Sequence, residues 1–112
     1  FRRPPAGISS KNVFMSWGVD DTFSPQPTLN AMAQVSRLPV VSPEIEDLGT
    51  GFVSRPVSAN VSGGDGQDRT AACFQYPNNG IDGHFVALQD PQAVADWLAF
   101  LQSAIDSTPT VP

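Results

Sequence analysis

The order of apolar segments in this 112-residue chain predicts an α/β architecture built on a parallel sheet. Three observations carry that reading. Two short apolar runs lack the strict alternation of a half-exposed strand, as expected of strands covered on both faces. A helical pattern follows each run. Polar turns stand where the carboxyl ends of the two strands belong.

Taken in order, residues 1–11 form a Pro-rich, basic opening segment beginning Phe1-Arg2-Arg3-Pro4-Pro5. Asn12-Val13-Phe14-Met15-Ser16-Trp17 reads as the first buried strand, stopped by Gly18. Val19 to Pro25 is a polar turn. A helix is expected from Pro25 or Pro27 to Ser36, with Ser24 capping its first amides and Pro tolerated in the first turn. Leu29, Met32 and Ala33 share one face of it and are expected to pack in the core.

Residues 37–69 are broken by Pro39, Pro43, Gly49, Gly51, Pro56 and Gly63-Gly64-Asp65-Gly66, and read as an irregular excursion. Val53 to Val61 can supply one or two short strands. Asn60-Val61-Ser62 matches a glycosylation sequon. Thr70-Ala71-Ala72-Cys73-Phe74-Gln75-Tyr76 is the second buried strand, closed by Pro77-Asn78-Asn79-Gly80. Ile81 to Val86 is a loop carrying the chain's one histidine, His84. Asp90-Pro91 opens the last helix as cap and first residue. Val94, Trp97, Leu98, Leu101 and Ile105 then recur at helical spacing, an amphipathic stripe. Two strands cannot make a parallel sheet alone, so its remainder is expected on another segment.

Composition narrows the function. Charged residues are 15% of the chain, against ~25% in average soluble domains, and eleven Pro and nine Gly make turns plentiful. Six basic against eleven acidic residues give a net charge of −5, and half of the basic ones (Arg2, Arg3, Lys11) sit at the start. No basic face remains for a phosphate backbone, so no nucleic-acid partner is expected. No run is long and apolar enough for a membrane span. Cys73 is the single cysteine, which leaves no internal disulfide and no thiolate zinc cluster. It reads as a buried small hydrophobe, with a bridge to a missing segment as the alternative. No cofactor and no metal is expected; loop oxygens around Gly63 to Asp68 are the one place where calcium ligands could gather. The chain opens on Phe rather than Met, which suggests a processed product or a piece of a longer protein.

Chemistry in open α/β sheets gathers at the carboxyl ends of strands. There the sequence places Asp20 and Asp21 after the first strand and His84 after the second. A histidine works as a general base when a carboxylate holds its other ring nitrogen. Asp21 is the first choice for that partner and Asp20 the second. Alone, Asp21 reads as a turn residue, and Asp82, Asp65 and Asp68 read as ordinary loop acids. Gly80 and Gly83 are expected to supply positive φ angles or to let the loop turn back and present His84. Trp17, Phe23 and Phe85 either line a substrate pocket or pack as buried aromatics.

Trp17-Gly18-Val19-Asp20-Asp21-Thr22-Phe23-Ser24-Pro25 resembles the Gly-x-x-Asp-x-x-x-Pro segment that follows the penultimate strand of α/β-hydrolases. Asp82-Gly83-His84-Phe85 resembles that family's Gly-His segment, and the helix after Pro91 resembles its closing helix. The resemblance covers roughly Lys11 to Ile105, leaving the excursion unmatched. It implies that the chain is the C-terminal part of an α/β-hydrolase domain, with Asp21 as triad acid, His84 as general base, and Phe23 and Phe85 toward the substrate. The implied activity is lipase- or esterase-like, on a carboxylic ester small molecule. Gly-x-Ser-x-Gly does not occur in these residues, so an N-terminal segment or partner chain is expected to supply the nucleophile. Similarity to secreted bacterial hydrolases implies an extracellular or cell-envelope location. The alternative is a non-catalytic fragment or structural module that assembles with a partner chain or with itself.

Overall fold

The computed structural model describes residues 4–112, and the three residues at the head of the opening segment, Phe1, Arg2 and Arg3, lie outside the described residues. The first buried run forms β1 (Val13–Gly18) and is followed by α1 (Gln26–Ser36). The excursion holds β2 (Val40–Val41), β3 (Phe52–Val53), β4 (Val57–Ser58), β5 (Val61–Ser62) and β6 (Asp68–Arg69). The second buried run is β7 (Ala71–Tyr76). A 3-10 turn at Gly83–Phe85 leads into α2 (Val86–Gln89), then α3 (Pro91–Asp106) and β8 (Thr110–Val111).

β1, β7, β2 and β3 form, in that spatial order, a sheet whose ladders are all parallel. Met15 lies beside Cys73 and Gly18 beside Tyr76, so β1 and β7 end at the same level. The chain is therefore a mixed α/β fold with a four-stranded parallel sheet. The expected excursion needs correction on one point: residues 37–69 are not merely an interruption, because β2 and β3 extend the sheet beyond β7. Two small antiparallel pairs, β4 with β8 and β5 with β6, form separate two-stranded sheets. Asn60 is used there too. Its side chain both donates to and accepts from the backbone of Ala71, 2.9 Å each way, so the sequon's amide is spent within the fold.

Alternating side chains of β1 and β7 feed two cores on opposite faces. Met15, Trp17, Cys73, Val40 and Leu38 pack with Ala33 of α1 on one face. On the other, Phe14 stacks on Phe74 with centroids 4.4 Å apart and meets Phe100 of α3 at 5.6 Å, alongside Tyr76, Val86 and Ala93. A helix on each face removes both from water, which is why neither run alternates in polarity.

Gln26 starts α1 with Pro27 in its first turn, and Arg37 ends it in the left-handed region, φ 51°, with its N–H turned back to the Ala33 and Gln34 carbonyls. Ser24 does not cap this helix, contrary to expectation: Pro25 holds the cap position and no side chain accepts there. The Ser24 N–H is instead bound by Asp21. Met32 is also corrected, being 60% exposed while Ala33 is fully buried.

Asp90 caps α3 as expected, accepting from the Ala93 N–H at 2.9 Å. The face that α3 buries is not the expected one. Ala93, Asp96 and Phe100 turn to the sheet, while Leu98, Leu101 and Ile105 stand in solvent. Asp96 explains the choice. Its carboxylate forms a bidentate pair with Arg55 and accepts from the Tyr76 hydroxyl at 3.0 Å and from Gln92 at 2.8 Å. A buried anion so partnered anchors that face inward.

Candidate functional site

β1 and β7 lie side by side and end together, so the loops leaving them meet at one rim of the sheet. Their approach is unusually close. A Cβ on Gly18 would come within 2.3 Å of the Gly83 carbonyl oxygen, and one on Gly83 within 2.5 Å of the Val19 carbonyl oxygen and 2.7 Å of the Asp21 nitrogen. Only glycine fits at either position. Gly83 thus serves close contact rather than a positive φ, which the expectation had allowed; Gly80 is the one with φ 81°.

That contact brings Asp21 to His84. The Asp21 Oδ1 lies 3.3 Å from His84 Nδ1, at the outer edge of hydrogen-bonding range. The Asp21 side chain is 6% exposed and that of His84 41%. The same Oδ1 accepts the N–H groups of Phe23 at 2.9 Å and Ser24 at 2.6 Å. Burial alone pushes the Asp21 carboxyl up, but the Ser24 and Phe23 amides and the neighbouring His84 outweigh it and hold the group below its ordinary value. Asp21 is therefore a fixed carboxylate facing one nitrogen of the ring.

Asp20, the second choice for the acid, faces elsewhere. It sits at φ 57° and accepts from the Asn78 side chain at 2.9 Å, tying the β1 exit to the β7 exit.

Asp82, which the sequence presents as an ordinary loop acid, is a functional residue of this rim that sequence reasoning misses. Its carboxylate accepts the His84 N–H at 2.9 Å and the Thr22 N–H at 3.3 Å, and it also takes the Thr22 hydroxyl. One side chain thereby clips the acid loop to the histidine loop. The Thr22 hydroxyl and then the His84 amide hold the Asp82 carboxyl below its usual range. The available signal was its place just before Gly83-His84, where it caps the 3-10 turn.

Phe23 and Phe85 both touch the histidine. The Phe23 ring lies 4.7 Å from the His84 ring at 38°, and Phe85 meets it edge-on at 5.1 Å. Phe23 is 65% exposed, so it is not buried packing. Trp17 is: its indole is almost fully buried and donates to Asn30 at 2.8 Å.

The oxygens considered for calcium are otherwise engaged. Asp65 pairs with Arg69 and accepts the Ser10 and Gln67 amides, and Asp68 accepts the Ser62 hydroxyl. A cavity of about 710 Å³ opens at the carboxyl ends of β7 and β2, walled by Val41, Ile45, Arg55 and Phe74 among others. It lies apart from Asp21, Phe23, His84 and Phe85, none of which lines it.

No known protein family, no curated protein and no solved structure matches this chain. Among the described residues no helix is long and apolar enough to cross a membrane.

The arrangement is a carboxylate–imidazole pair at the mouth of a parallel sheet, framed by two aromatic rings. It can hold a histidine in one orientation and stabilise positive charge on it. With Nδ1 turned to Asp21, Nε2 is the nitrogen left to exchange a proton with a reacting group.

Proposed function

We propose that this chain is the C-terminal part of a serine-type α/β-hydrolase acting on carboxylic esters, in which Asp21 is the triad acid and His84 the general base. The observation that supports it is the 3.3 Å approach of Asp21 to His84 Nδ1, at the rim where the interlocked Gly18 and Gly83 bring two loops together. The order of acid before histidine, each after a parallel strand, supports it further.

In this reading the nucleophile is a serine on a segment outside these residues. His84 Nε2 takes the serine's proton as its oxygen attacks the ester carbonyl. Asp21 stabilises the imidazolium that forms. His84 then gives that proton to the leaving alkoxide, and the acyl-enzyme is cleared by water activated in the same way. Phe23, the more exposed ring, offers an apolar wall to the substrate beside the imidazole. The protein acts outside the cytoplasm or at the cell envelope, as the acidic, Pro- and Gly-rich composition and the resemblance to secreted hydrolases suggest.

The test is ester turnover by the protein expressed from its complete reading frame. p-Nitrophenyl acetate and butyrate are hydrolysed, a fluorophosphonate labels one serine, and His84→Ala abolishes turnover. Asp21→Asn lowers kcat on the order of 10³-fold or more. Turnover that is indifferent to His84→Ala, or no turnover of either ester and no labelled serine, overturns the proposal and leaves a structural module.

A further inference from the structure

The cavity at the carboxyl ends of β7 and β2, about 710 Å³, has the size of a small-molecule site. Val41, Phe74 and Tyr76, all core residues, line it, and Ile45 and Pro77 add apolar surface. Its walls are held in place by the fold. Gln75 fixes the stretch from Ser42 to Ile45: its side-chain oxygen accepts the Ile45 N–H at 2.7 Å and the Glu46 N–H at 2.9 Å. The same side chain donates to the Glu46 carbonyl at 2.9 Å. The start of α3 supplies further wall through Asp90 and Gln92.

Glu44, Arg55 and Asp90 are the charged side chains that line it. Arg55 is already matched, because both of its terminal nitrogens bond to Asp96 and one also donates to the Pro112 carbonyl at 2.6 Å. Asp90 is matched only in part. It is 5% exposed, and its Oδ1 accepts the Ala93 N–H at 2.9 Å. Among the described residues no bond is made to its Oδ2, and Pro91 beside it has no N–H to offer. A buried carboxylate oxygen without a partner is costly, and this one borders a space that a ligand can fill. Glu44 adds a second negative charge to the same lining.

We infer that this cavity binds a small organic cation, an ammonium group on an aromatic or aliphatic body. Asp90 Oδ2 takes the charged end, and Val41, Phe74 and Tyr76 take the body. The charges select that class. An anion would meet Glu44, Asp90 and the Asp96 carboxylate against one guanidinium that is already bonded. A neutral molecule would leave the Asp90 charge unanswered. A bare metal ion fits no better, since it asks for several oxygen ligands at once and among the described residues no three His, Cys, Asp or Glu side chains gather. The helix end does not oppose a cation here, because Asp90 Oδ1 already meets the amide of Ala93. Asp21, Phe23, His84 and Phe85 take no part in the lining, so the site stands whether or not the chain is a hydrolase.

The test titrates the full-length protein with probes of nearly equal shape and different charge: phenylethylammonium, phenylethanol and phenylacetate. Amide NMR shifts of Gln75 and Ala93 report occupancy. Phenylethylammonium is expected to bind at least tenfold more tightly than phenylethanol, with phenylacetate weakest. Asp90→Asn keeps a competent helix cap while removing the charge, and is expected to weaken the ammonium at least tenfold and leave phenylethanol unchanged. Ile45→Trp, at a lining position that is 45% exposed, should weaken both by filling the space. Leu101→Ser, on the exposed stripe of α3, should weaken neither. Phenylacetate binding as tightly as the ammonium, no binding of any probe, or loss of binding in Leu101→Ser overturns the proposal. So does an unchanged ammonium affinity in natively folded Asp90→Asn. Should that variant unfold, the order of the three probes on the wild type decides.

Discussion

Gly18 and Gly83 meet backbone to backbone, with the position of a Gly18 Cβ only 2.3 Å from the Gly83 carbonyl oxygen. The two loops that bear the carboxylate and the imidazole are therefore joined through main-chain contact, before any side chain takes part. Gly83→Ala must push the Gly18–Asp21 backbone away, since the obstructing atoms are carbonyls and an amide. The expected cost is on the order of 1–3 kcal/mol, as for other overpacked sites. Urea unfolding checks the stability, and a solved structure of the variant should show His84 and Asp21 further apart.

Asp82→Ala removes the acceptor of the His84 and Thr22 amides. The fold should survive, because Asp82 touches only the rim. Hydrogen exchange at the His84 and Thr22 amides is expected to accelerate at least tenfold, with β7 amides unchanged. Uniform acceleration across β7 would show that Asp82 supports the whole sheet instead of the clip.

Acid should erase the contribution of Asp21. Its carboxyl is held below its ordinary value in the folded chain, so the folded state binds that proton less tightly than the unfolded one. The stabilisation is fully present above the unfolded value of about 4 and is lost as pH falls through the folded value. The stability gap between the wild type and Asp21→Asn should therefore be equally wide at pH 7 and pH 5 and narrow as pH falls below about 4. Unfolding curves at pH 7, 5 and 3 measure it, and a gap that stays constant contradicts the assignment.

Arg55→Met leaves Asp96 as a buried anion, 3% exposed, without its cation. Such one-sided removal costs about 3 kcal/mol. Because Arg55 also lies over the Phe74 ring, 5.4 Å from its centre, part of the loss is packing. The double variant Arg55→Met with Asp96→Leu should recover most of it, read as the urea midpoint.

The parts of the fold legible in the sequence are those decided locally. The limits of β1 and β7 follow from apolar runs stopped by Gly18 and Pro77, and α3 begins where Asp90-Pro91 says it should. The meeting of Asp21 with His84 was readable because parallel strands deliver their exits to one edge. β2 and β3 were not readable. Two residues each, Val40-Val41 and Phe52-Val53, are too few for any periodicity. Nor could periodicity choose which face of α3 points inward, since that depends on Arg55 reaching Asp96 across 41 residues. Asp82 was missed for a similar reason, because its partner Thr22 lies 60 residues away.

The Trp17 indole, buried one residue before the strand gives way to the Gly18 hinge, has an optical consequence. Held by Asn30 and shut off from solvent, it should emit at short wavelength and resist iodide. In a Trp97→Phe background, a red shift of this fluorophore would report exposure of the strand end next to Gly18 while the far-ultraviolet dichroism still reads native, giving the protein a built-in gauge that needs no added dye.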